Sequence, residues 1–272
     1  MTYQLLDSGS ESKLEQFGDY ILARPCSQAV WKPTLSKKEW QEADAVFSRE
    51  PANRWTAHPP LPFSWTMTFD EIQFKLVPTE FGHVGVFPEH ALLWRWMKHR
   101  LKKGSSVLNL FAYTGGATLA AAKAGAQVCH VDASKTTVAW ARENAALNNL
   151  QQAPIRWIVD DAVKFLGREV RRGVRYDGII LDPPTFGRGS KGEVFKIEKD
   201  LPAILDLCFQ LLSDQPLFVI LSSHTPGYTP LVLHHLLLQG SEGRKGTIEM
   251  GEMVIPGPLD LTSGTYARWY AT

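Results

Sequence analysis

The sequence has few cysteines and no long uncharged hydrophobic run. Its 272 residues include three cysteines, with no C-x-x-C pair among them. An odd number of widely spaced thiols argues against a secreted disulfide framework and suits a reducing compartment. The N-terminal MTYQLLDSGSESKLEQ is acidic early and lacks an apolar core, so no signal peptide is visible. No stretch of about 18 residues is apolar enough to span a membrane, and we therefore expect a cytoplasmic protein.

An excess of charge of one sign is also absent. The chain has 29 Lys and Arg against 28 Asp and Glu, which gives a formal net charge of +1. So weak a field excludes binding to nucleic acid through overall charge, and any such contact must use a local patch. The eight histidines show no metal-ligand spacing, because the adjacent His234 and His235 would point apart on a helix. We therefore predict no metal site.

The first 78 residues are rich in proline and predict a small β-rich region that wraps on a larger domain at 79–272. One helix is expected there. Ser36 and Glu39 have the spacing of a capping box, and Trp40, Ala43 and Phe47 follow at helical intervals.

Two alternating apolar runs predict a hairpin at the end of this region. The first run covers residues 63–69 and the second covers 72–76. Asp70 and Glu71 lie between the runs and would form the turn, which leaves one face of the hairpin buried.

From about residue 105, short apolar runs alternate with longer helical patterns. This alternation is typical of an α/β domain with a parallel sheet and helices on both faces. One helical stripe surrounds Pro202, and since proline suits a first helical turn, we expect that helix to begin near Asp200. The predicted strands are Ser106–Phe111, Gln127–Val131, Ile155–Val159, Gly178–Leu181, Leu217–Leu221, Ile248–Ile255 and Tyr266–Tyr270.

The segment 107–132 reads as a buried strand, a Gly-Gly turn, an alanine-rich helix and a second strand. Asp132 ends the second strand, 17 residues after Gly115, where an acidic residue can accept hydrogen bonds from ribose hydroxyls. Neither G-x-G-x-x-G nor G-x-x-x-x-G-K-[ST] occurs at this turn, and the turn has no lysine for a triphosphate. A nucleoside without phosphates fits better, and we predict S-adenosylmethionine as the cofactor.

The third strand ends in Asp160-Asp161-Ala162, which is placed to accept a hydrogen bond from the adenine amino group. A structural alternative stays open for these acidic residues. Asp132 and Asp161 would also serve as N-caps of the helices that follow, and Ser134 could do the same.

The fourth strand ends in Asp182-Pro183-Pro184. Proline cannot donate to a central ladder, so this sequence predicts a rigid turn with exposed carbonyls beside the sheet. We predict that these three residues are catalytic, holding a planar, nitrogen-bearing acceptor. Arg188, Lys191 and Lys196 follow in a Gly-rich stretch that suits a phosphate-bearing acceptor.

These segments together resemble a known family. VLNLFAYTGGATLAAAKAGA, VDASKTTVAWARENAALN, DDAVKFL and LDPPTFGRGSKGEVFK are similar to class I methyltransferases of the 23S ribosomal-RNA cytosine-C5 and guanine-N7 type. FGHVGVFPEH resembles that family's lead-in, where the chain wraps the cofactor. The resemblance covers about residues 60–272.

The resemblance implies a Rossmann-like, seven-stranded, mostly parallel sheet in the order 3-2-1-4-5-7-6, with the seventh strand antiparallel. It also implies methyl transfer from S-adenosylmethionine, with ribosomal RNA as the acceptor. Our full set of predicted cofactor-binding residues is Phe87, Phe111, Ala112, Tyr113, Thr114, Gly115, Asp132, Ala133, Ser134, Asp160, Asp161, Ala162 and Asp182.

The chain departs from that family in two ways. Only 62 residues precede the predicted hairpin, and we expect these to be too few for the N-terminal RNA-binding domain that the family often carries. The fifth strand ends in Leu221-Ser222-Ser223-His224, with serine where cytosine-C5 enzymes place a thiol. We therefore expect methylation of a base nitrogen. The alternatives are the same chemistry on a small molecule or protein, or a non-catalytic module that binds S-adenosylmethionine.

Overall fold

The computed structural model describes residues 2–188, 192 and 194–272, and Lys191 of the predicted acceptor loop lies outside these residues. The chain forms two compact units. The first comprises Met1–Glu89 and Val254–Ser263, and the second comprises His90–Met253 and Gly264–Thr272. The first unit thus extends beyond residue 78, after which we expected the boundary, and it includes a segment from near the C-terminus.

The first unit contains a five-stranded sheet, which confirms the predicted β-rich region, although its individual strands were not predicted. The strands lie in chain order, and all neighbours are antiparallel except the third and fourth, which are parallel. A small apolar cluster of this unit joins Leu5, Cys26 and Ala29 to Ile255 and Leu261. The strands are β1 (Tyr3–Gly9), β2 (Ser12–Phe17), β3 (Tyr20–Pro25), β4 (Ala45–Ser48) and β5 (Arg54–Ala57).

The predicted helix begins as expected but is shorter. In α1 (Lys37–Gln41), Ser36 accepts a hydrogen bond from the backbone of Glu39, and both halves of the capping box are formed. The extension to Phe47 was wrong, because that residue lies on β4. Tertiary pairing ends the helix: the carboxylate of Asp44 accepts the backbone N–H of Ile21 at 2.7 Å and docks the chain onto β3.

The predicted hairpin is confirmed as β6 (Trp65–Phe69) and β7 (Ile72–Leu76). Asp70 and Glu71 form its turn with φ angles of 47° and 66°, the left-handed values that a tight two-residue turn requires. Phe63, which we placed on the same run, is 84% exposed and lies before the first strand.

The second unit contains a seven-stranded sheet in the order β10-β9-β8-β11-β14-β16-β15. Numbered from its first strand, this is the predicted order 3-2-1-4-5-7-6, and β16 is antiparallel to β14. The fold class is therefore confirmed. The strands are β8 (Ser106–Leu110), β9 (Gln127–Asp132), β10 (Ile155–Val159), β11 (Gly178–Leu181), β14 (Phe218–Ser223), β15 (Thr247–Ile255) and β16 (Leu261–Tyr270), while β12 (Phe186–Arg188) and β13 (Val194–Lys196) form a separate ribbon.

Helices connect the parallel strands, and their apolar faces bury the core of this unit. The helix around Pro202 begins at Ile197, earlier than predicted, because the Asp200 carboxylate accepts the backbone N–H of Lys196 at 2.7 Å and so stabilises its first turn. No helix within the described residues is long and apolar enough to cross a membrane. The helices are α2 (Ala91–Lys98), α3 (Gly116–Lys123), α4 (Lys135–Leu147), α5 (Ala162–Arg171), α6 (Ile197–Gln210) and α7 (Pro230–Gly240), and a 3₁₀ turn covers Pro88–His90.

Candidate active site

The loop after β8 has an unusual backbone. Phe111, Tyr113 and Gly115 all have positive φ angles, of 53°, 49° and 92°. This region is costly for bulky side chains, and such strain tends to persist at functional sites where surrounding structure imposes it. The strain at the two aromatic residues agrees with the prediction, made from the glycines, that this loop binds the cofactor.

Side chains of the neighbouring elements hold this loop in place. Asn144 of α4 donates its side-chain amide to the carbonyl of Thr114 at 3.0 Å, and both residues are buried. Gly115 lies so close to the same helix that a Cβ atom there would stand 3.2 Å from the Cβ of Ala141. The Gly-Gly turn is thus needed for close packing as well as for its backbone conformation.

Asp132 joins the loop to the end of β9. Its carboxylate accepts the backbone N–H groups of Tyr113 and Ser134, each at 2.9 Å, and the hydroxyl of Thr137 at 2.9 Å. A carboxylate has about four acceptor positions, so these three bonds leave capacity for a ligand hydroxyl. The predicted contact with ribose stays a prediction, and bracing of the loop is a second role that sequence reasoning missed.

The capping alternative is realised for two of the predicted residues. Ser134 accepts the backbone N–H of Thr137 as the N-cap of α4, and Asp161 accepts that of Lys164 as the N-cap of α5. Asp160 forms an ion pair with Arg168 and accepts the backbone N–H of Asp161. Capping does not exclude ligand binding, because each of these residues also follows a parallel strand at its carboxyl end.

The remaining predicted cofactor residues divide between the two units. Ala112, Ala133 and Ala162 belong to the second unit and flank the strand ends just described. Phe87 belongs to the first unit, where its ring centre lies 5.1 Å from that of His83.

The Asp182-Pro183-Pro184 turn directly follows β11. The Asp182 carboxylate accepts the hydroxyl of Ser222 at 2.7 Å, because β11 and β14 are parallel neighbours whose carboxyl ends lie side by side. Pro183 is buried, whereas Pro184 is exposed. One proline therefore packs inside the fold and the other can offer a flat face to a ligand.

Two histidines complete this end of the sheet. Nε2 of His90 lies 3.5 Å from Oδ2 of Asp182, and Nε2 of His224 lies 3.9 Å from the same oxygen. His224 lies in the segment after the fifth predicted strand and His90 precedes a helix, and neither was among the predicted site residues. Although no metal spacing exists in the sequence, the three side chains bring possible ligand atoms within 4.8 Å of one another.

All three cysteines are buried. Burial raises the pKa of Cys129 to about 11 and raises the pKa of Cys208 still further above the usual range for a thiol. Nucleophilic cysteines need the opposite, a lowered pKa and an accessible sulfur. No thiol of this chain is therefore suited to covalent attack on a pyrimidine.

The donor and acceptor set of the site fits S-adenosylmethionine. Asp132 ends β9, Asp160 and Asp161 follow β10, and Asp182 follows β11, so carboxylates line this edge of the sheet. They suit a ligand that offers hydroxyl, amino and sulfonium groups, whereas a pyrophosphate would be repelled. The residues present thus agree with the cofactor inferred from the sequence.

Comparisons with known proteins identify the family. A family model described as S-adenosylmethionine-dependent methyltransferase matches residues 32–224. The ribosomal RNA large subunit methyltransferase K/L of Shewanella oneidensis is 37% identical over 157 residues, which are 53% of this chain and 22% of that protein. This chain thus spans about a fifth of the length of the curated relatives it matches.

Solved structures agree with this assignment. The SAM-dependent methyltransferase from Agrobacterium tumefaciens has a TM-score of 0.94 and 42% identity, covering 99% of this chain and 90% of that one. The methyltransferase SMU.776, complexed with SAH, has a TM-score of 0.77 and covers 95% of this chain and 71% of its own, but at 20% identity it supports the fold alone. The chain belongs to the S-adenosylmethionine-dependent methyltransferase family.

Proposed function

We propose that this enzyme transfers a methyl group from S-adenosylmethionine to a base nitrogen in ribosomal RNA, in the cytoplasm. The Asp182–Pro184 turn carries the proposal, because it offers a fixed carboxylate and an exposed proline at the end of a central strand. The relative from Shewanella oneidensis, which is named for ribosomal RNA, supports RNA as the acceptor.

The loop after β8 and the ends of β9 and β10 would hold the cofactor. When bound, S-adenosylmethionine supplies a methyl group that is activated by a positively charged sulfur. The carboxylate of Asp132 would accept a ribose hydroxyl at its remaining acceptor position, since its three protein hydrogen bonds already fix its orientation. Asp161 would accept the adenine amino group from its position as N-cap of α5.

The acceptor base would lie against the Asp182–Pro184 turn. Asp182 would accept a hydrogen bond from the base, and Pro184 would stack on its ring. Methyl transfer needs the reacting atoms at about 3–3.5 Å, so a rigid turn contributes by holding the base in place. Ser222 supports this rigidity, and the 2.8 Å hydrogen bond between the hydroxyls of Thr185 and Thr225 ties the next residue of the turn to the segment after β14.

The buried cysteines favour a nitrogen acceptor over cytosine C5. Methylation at C5 requires a nucleophile that first adds to the ring, whereas a base nitrogen can attack the methyl group directly. We expect no protein–RNA adduct with RNA that contains 5-fluorocytosine. A trapped adduct would contradict the choice of nitrogen.

The test is tritium transfer from S-adenosylmethionine to three acceptors: deproteinised ribosomal RNA, whole ribosomal subunits and a metabolite extract. We expect label in the RNA or the subunits, and nucleoside mass spectrometry then identifies the methylated base. Label confined to the metabolite fraction would favour a small-molecule acceptor instead. Cofactor binding without transfer to any fraction would contradict RNA methylation and favour a non-catalytic binding role.

A further inference from the structure

The rings of His90 and His224 have a specific arrangement beside Asp182. Their Nε2 atoms are 3.2 Å apart, the ring planes differ by 7°, and the ring centres are 5.4 Å apart. The distance between the ring centres exceeds the distance between the two Nε2 atoms by about twice the distance from the centre of an imidazole ring to its nitrogen. The two nitrogens therefore lie close to the line that joins the ring centres, and the rings meet edge to edge within nearly one plane.

This in-line arrangement is that of a shared proton. The hydrogen or lone pair of an imidazole nitrogen points outward in the ring plane, so here each nitrogen faces the other. A tetrahedral metal site would instead need both lone pairs to converge on a third point, about 2.0–2.1 Å from each nitrogen. One Nε2 therefore donates and the other accepts, and either histidine can take either role.

The Asp182 carboxylate offers the two histidines a second hydrogen-bond acceptor. Oδ2 of Asp182 lies 3.5 Å from Nε2 of His90 and 3.9 Å from Nε2 of His224. If both nitrogens carried protons, they would repel each other, and at least one N–H would turn to this oxygen. A nearby negative charge stabilises the added positive charge, so the cluster can take up one proton beyond the one it shares.

We propose that the His90–His224 pair accepts the proton released when the acceptor nitrogen is methylated. This inference rests on the proposed function and narrows its substrate class to nitrogens that carry a hydrogen, such as an exocyclic amino group. The new bond forms between that nitrogen and the methyl carbon, and the carbon–sulfur bond breaks with its electron pair going to sulfur. The N–H proton passes through the Asp182 carboxylate to a histidine Nε2.

The fold keeps the pair in place. His224 directly follows β14, and a Cβ atom at Gly264 of β16 would lie 3.0 Å from its Nδ1, so glycine makes room for the ring. The side chains of His90, Asp182 and His224 are 13%, 25% and 35% exposed. His90 is thus largely enclosed, whereas the His224 ring and the Asp182 carboxylate both stay accessible to a substrate.

The test compares His224→Ala and His224→Asn with His235→Ala, which changes an exposed histidine of α7. Single-turnover transfer by the two His224 variants should fall by ~10²–10⁴-fold, the usual contribution of a positioned proton acceptor, with cofactor affinity unchanged. Added imidazole should restore part of the rate to His224→Ala, an effect that a purely structural role would not produce. His90→Gln should also lose rate, and His235→Ala should not. Thermal unfolding checks that each variant is folded.

Three results would overturn the proposal. The first is transfer at the wild-type rate by both His90→Gln and His224→Asn. The second is a methylated product at a ring nitrogen that had no hydrogen to lose. The third is stoichiometric zinc that disappears in His224→Ala, together with activity that a chelator removes. Failure of the proposed function would look different, because the wild-type enzyme itself would then transfer no label to RNA.

Discussion

Two carboxylates, one in each unit, show how the same chemical group serves different purposes. Glu15 in the first unit is fully buried and accepts from the hydroxyl of Tyr3 at 2.8 Å and from the guanidinium of Arg24 at 2.6 and 2.8 Å. Lys13 also approaches it at 3.2 Å. Asp182 in the second unit is a quarter exposed, with one close hydrogen bond from Ser222 and two histidines at longer range.

The two carboxylates differ in whether they have an acceptor position left for a ligand. Arg24 is itself satisfied, since it donates to the carbonyl of Gly82 at 3.0 Å and lies over the ring of Phe17. Burial and the charge of Glu15 hold the pKa of Tyr3 well above its usual range, so no proton leaves this cluster near neutral pH. A saturated cluster stabilises a fold, whereas Asp182 keeps an oxygen that a substrate can approach.

Substitution within the buried cluster around Glu15 should have the largest effect on stability. Arg24→Met removes one partner and leaves Glu15 buried without its main counter-ion, which typically costs about 3–5 kcal/mol. Denaturant unfolding measures this loss. The matched control is Arg54→Met, because Arg54 is exposed on β5 and its replacement should change stability by no more than about 0.5 kcal/mol. Equal effects of the two substitutions would show that the buried pair does not support the fold.

Substitution of the second carboxylate, Asp182, should affect catalysis rather than stability. Asp182→Asn keeps the shape and the Ser222 contact but removes the charge, so we expect methyl transfer to fall by ~10²-fold while cofactor affinity stays within about threefold. Rates and calorimetry on the same preparations measure the two quantities. Asp206→Asn, on the exposed face of α6, is the control and should leave both unchanged. A loss of cofactor binding that matches the loss of rate would place Asp182 in the cofactor site.

Asp132 combines both kinds of role, and two substitutions separate them. Asp132→Ala should weaken S-adenosylmethionine binding by about 1.5–3 kcal/mol, the range for hydrogen bonds to charged groups. Thr137→Val removes one bracing hydrogen bond and leaves the carboxylate, so its effect on affinity should be smaller. Calorimetry compares the two variants. If Thr137→Val costs as much affinity, Asp132 contributes by bracing the loop; unchanged affinity in Asp132→Ala would remove it from the site.

His130 provides a third case, a buried group that is neutral. Its Nδ1 lies 2.9 Å from the hydroxyl of Thr118, and burial lowers its pKa to about 3. Because an unfolded histidine takes up a proton near pH 6.5, stability is fully present above that pH. It should fall by about 1.4 kcal/mol per unit as the pH drops below 6.5 toward 3.

Denaturant unfolding at several pH values between 7.5 and 5 tests this expectation. The difference in stability between the wild type and His130→Leu isolates the contribution of this one residue. The wild type should lose stability relative to His130→Leu as the pH falls. The reason is that the unfolded wild type takes up a proton at His130, whereas the variant has no titratable group at this position. A difference that is constant with pH would contradict a neutral, buried His130.

These clusters also explain which parts of the molecule the sequence could predict. The strands of the second unit and the loop after β8 follow from uninterrupted apolar runs and a Gly-Gly turn, which need little tertiary information, whereas the strand order was implied by the resemblance to a known family. The region was predicted to be β-rich, but the individual strands β1 to β3 were not predicted because they bury charge: Asp7, Glu15 and Arg24 interrupt the alternation that predicts a strand. Their partners, such as the indole of Trp40, which donates to Asp7 at 2.9 Å, are distant in sequence.

The same reason limits prediction of the candidate site. Asp132 and Asp182 could be found because each ends a strand whose pattern is visible. His90 ends the segment FGHVGVFPEH, which resembles the family's lead-in, but its contact with Asp182 depends on the position of the turn at Pro88–His90, which no local pattern reports. Pairs that join distant segments are therefore the part of the site that only the folded chain reveals.

The smallest effects concern packing around two helical glycines. One has no room for a side chain and the other does. Gly116 begins α3, and a Cβ atom there would lie 2.5 Å from the indole of Trp94, which is buried. Gly167 lies inside α5, and the nearest group to its Cβ position is the flexible guanidinium of Arg171, at 3.7 Å. Both glycines thus lie in helices, but only Gly167 has room for a Cβ atom.

Alanine at these two positions should therefore change stability in opposite directions. Gly116→Ala forces the Trp94 ring or the backbone to move, and overpacking of this kind typically costs about 1–3 kcal/mol. Gly167→Ala meets no fixed atom and restricts the unfolded chain, so it should stabilise the protein by about 0.4–1 kcal/mol. Denaturant unfolding of both variants gives the two signs. Destabilisation by Gly167→Ala, or none by Gly116→Ala, would show that the space around these helices does not control the outcome.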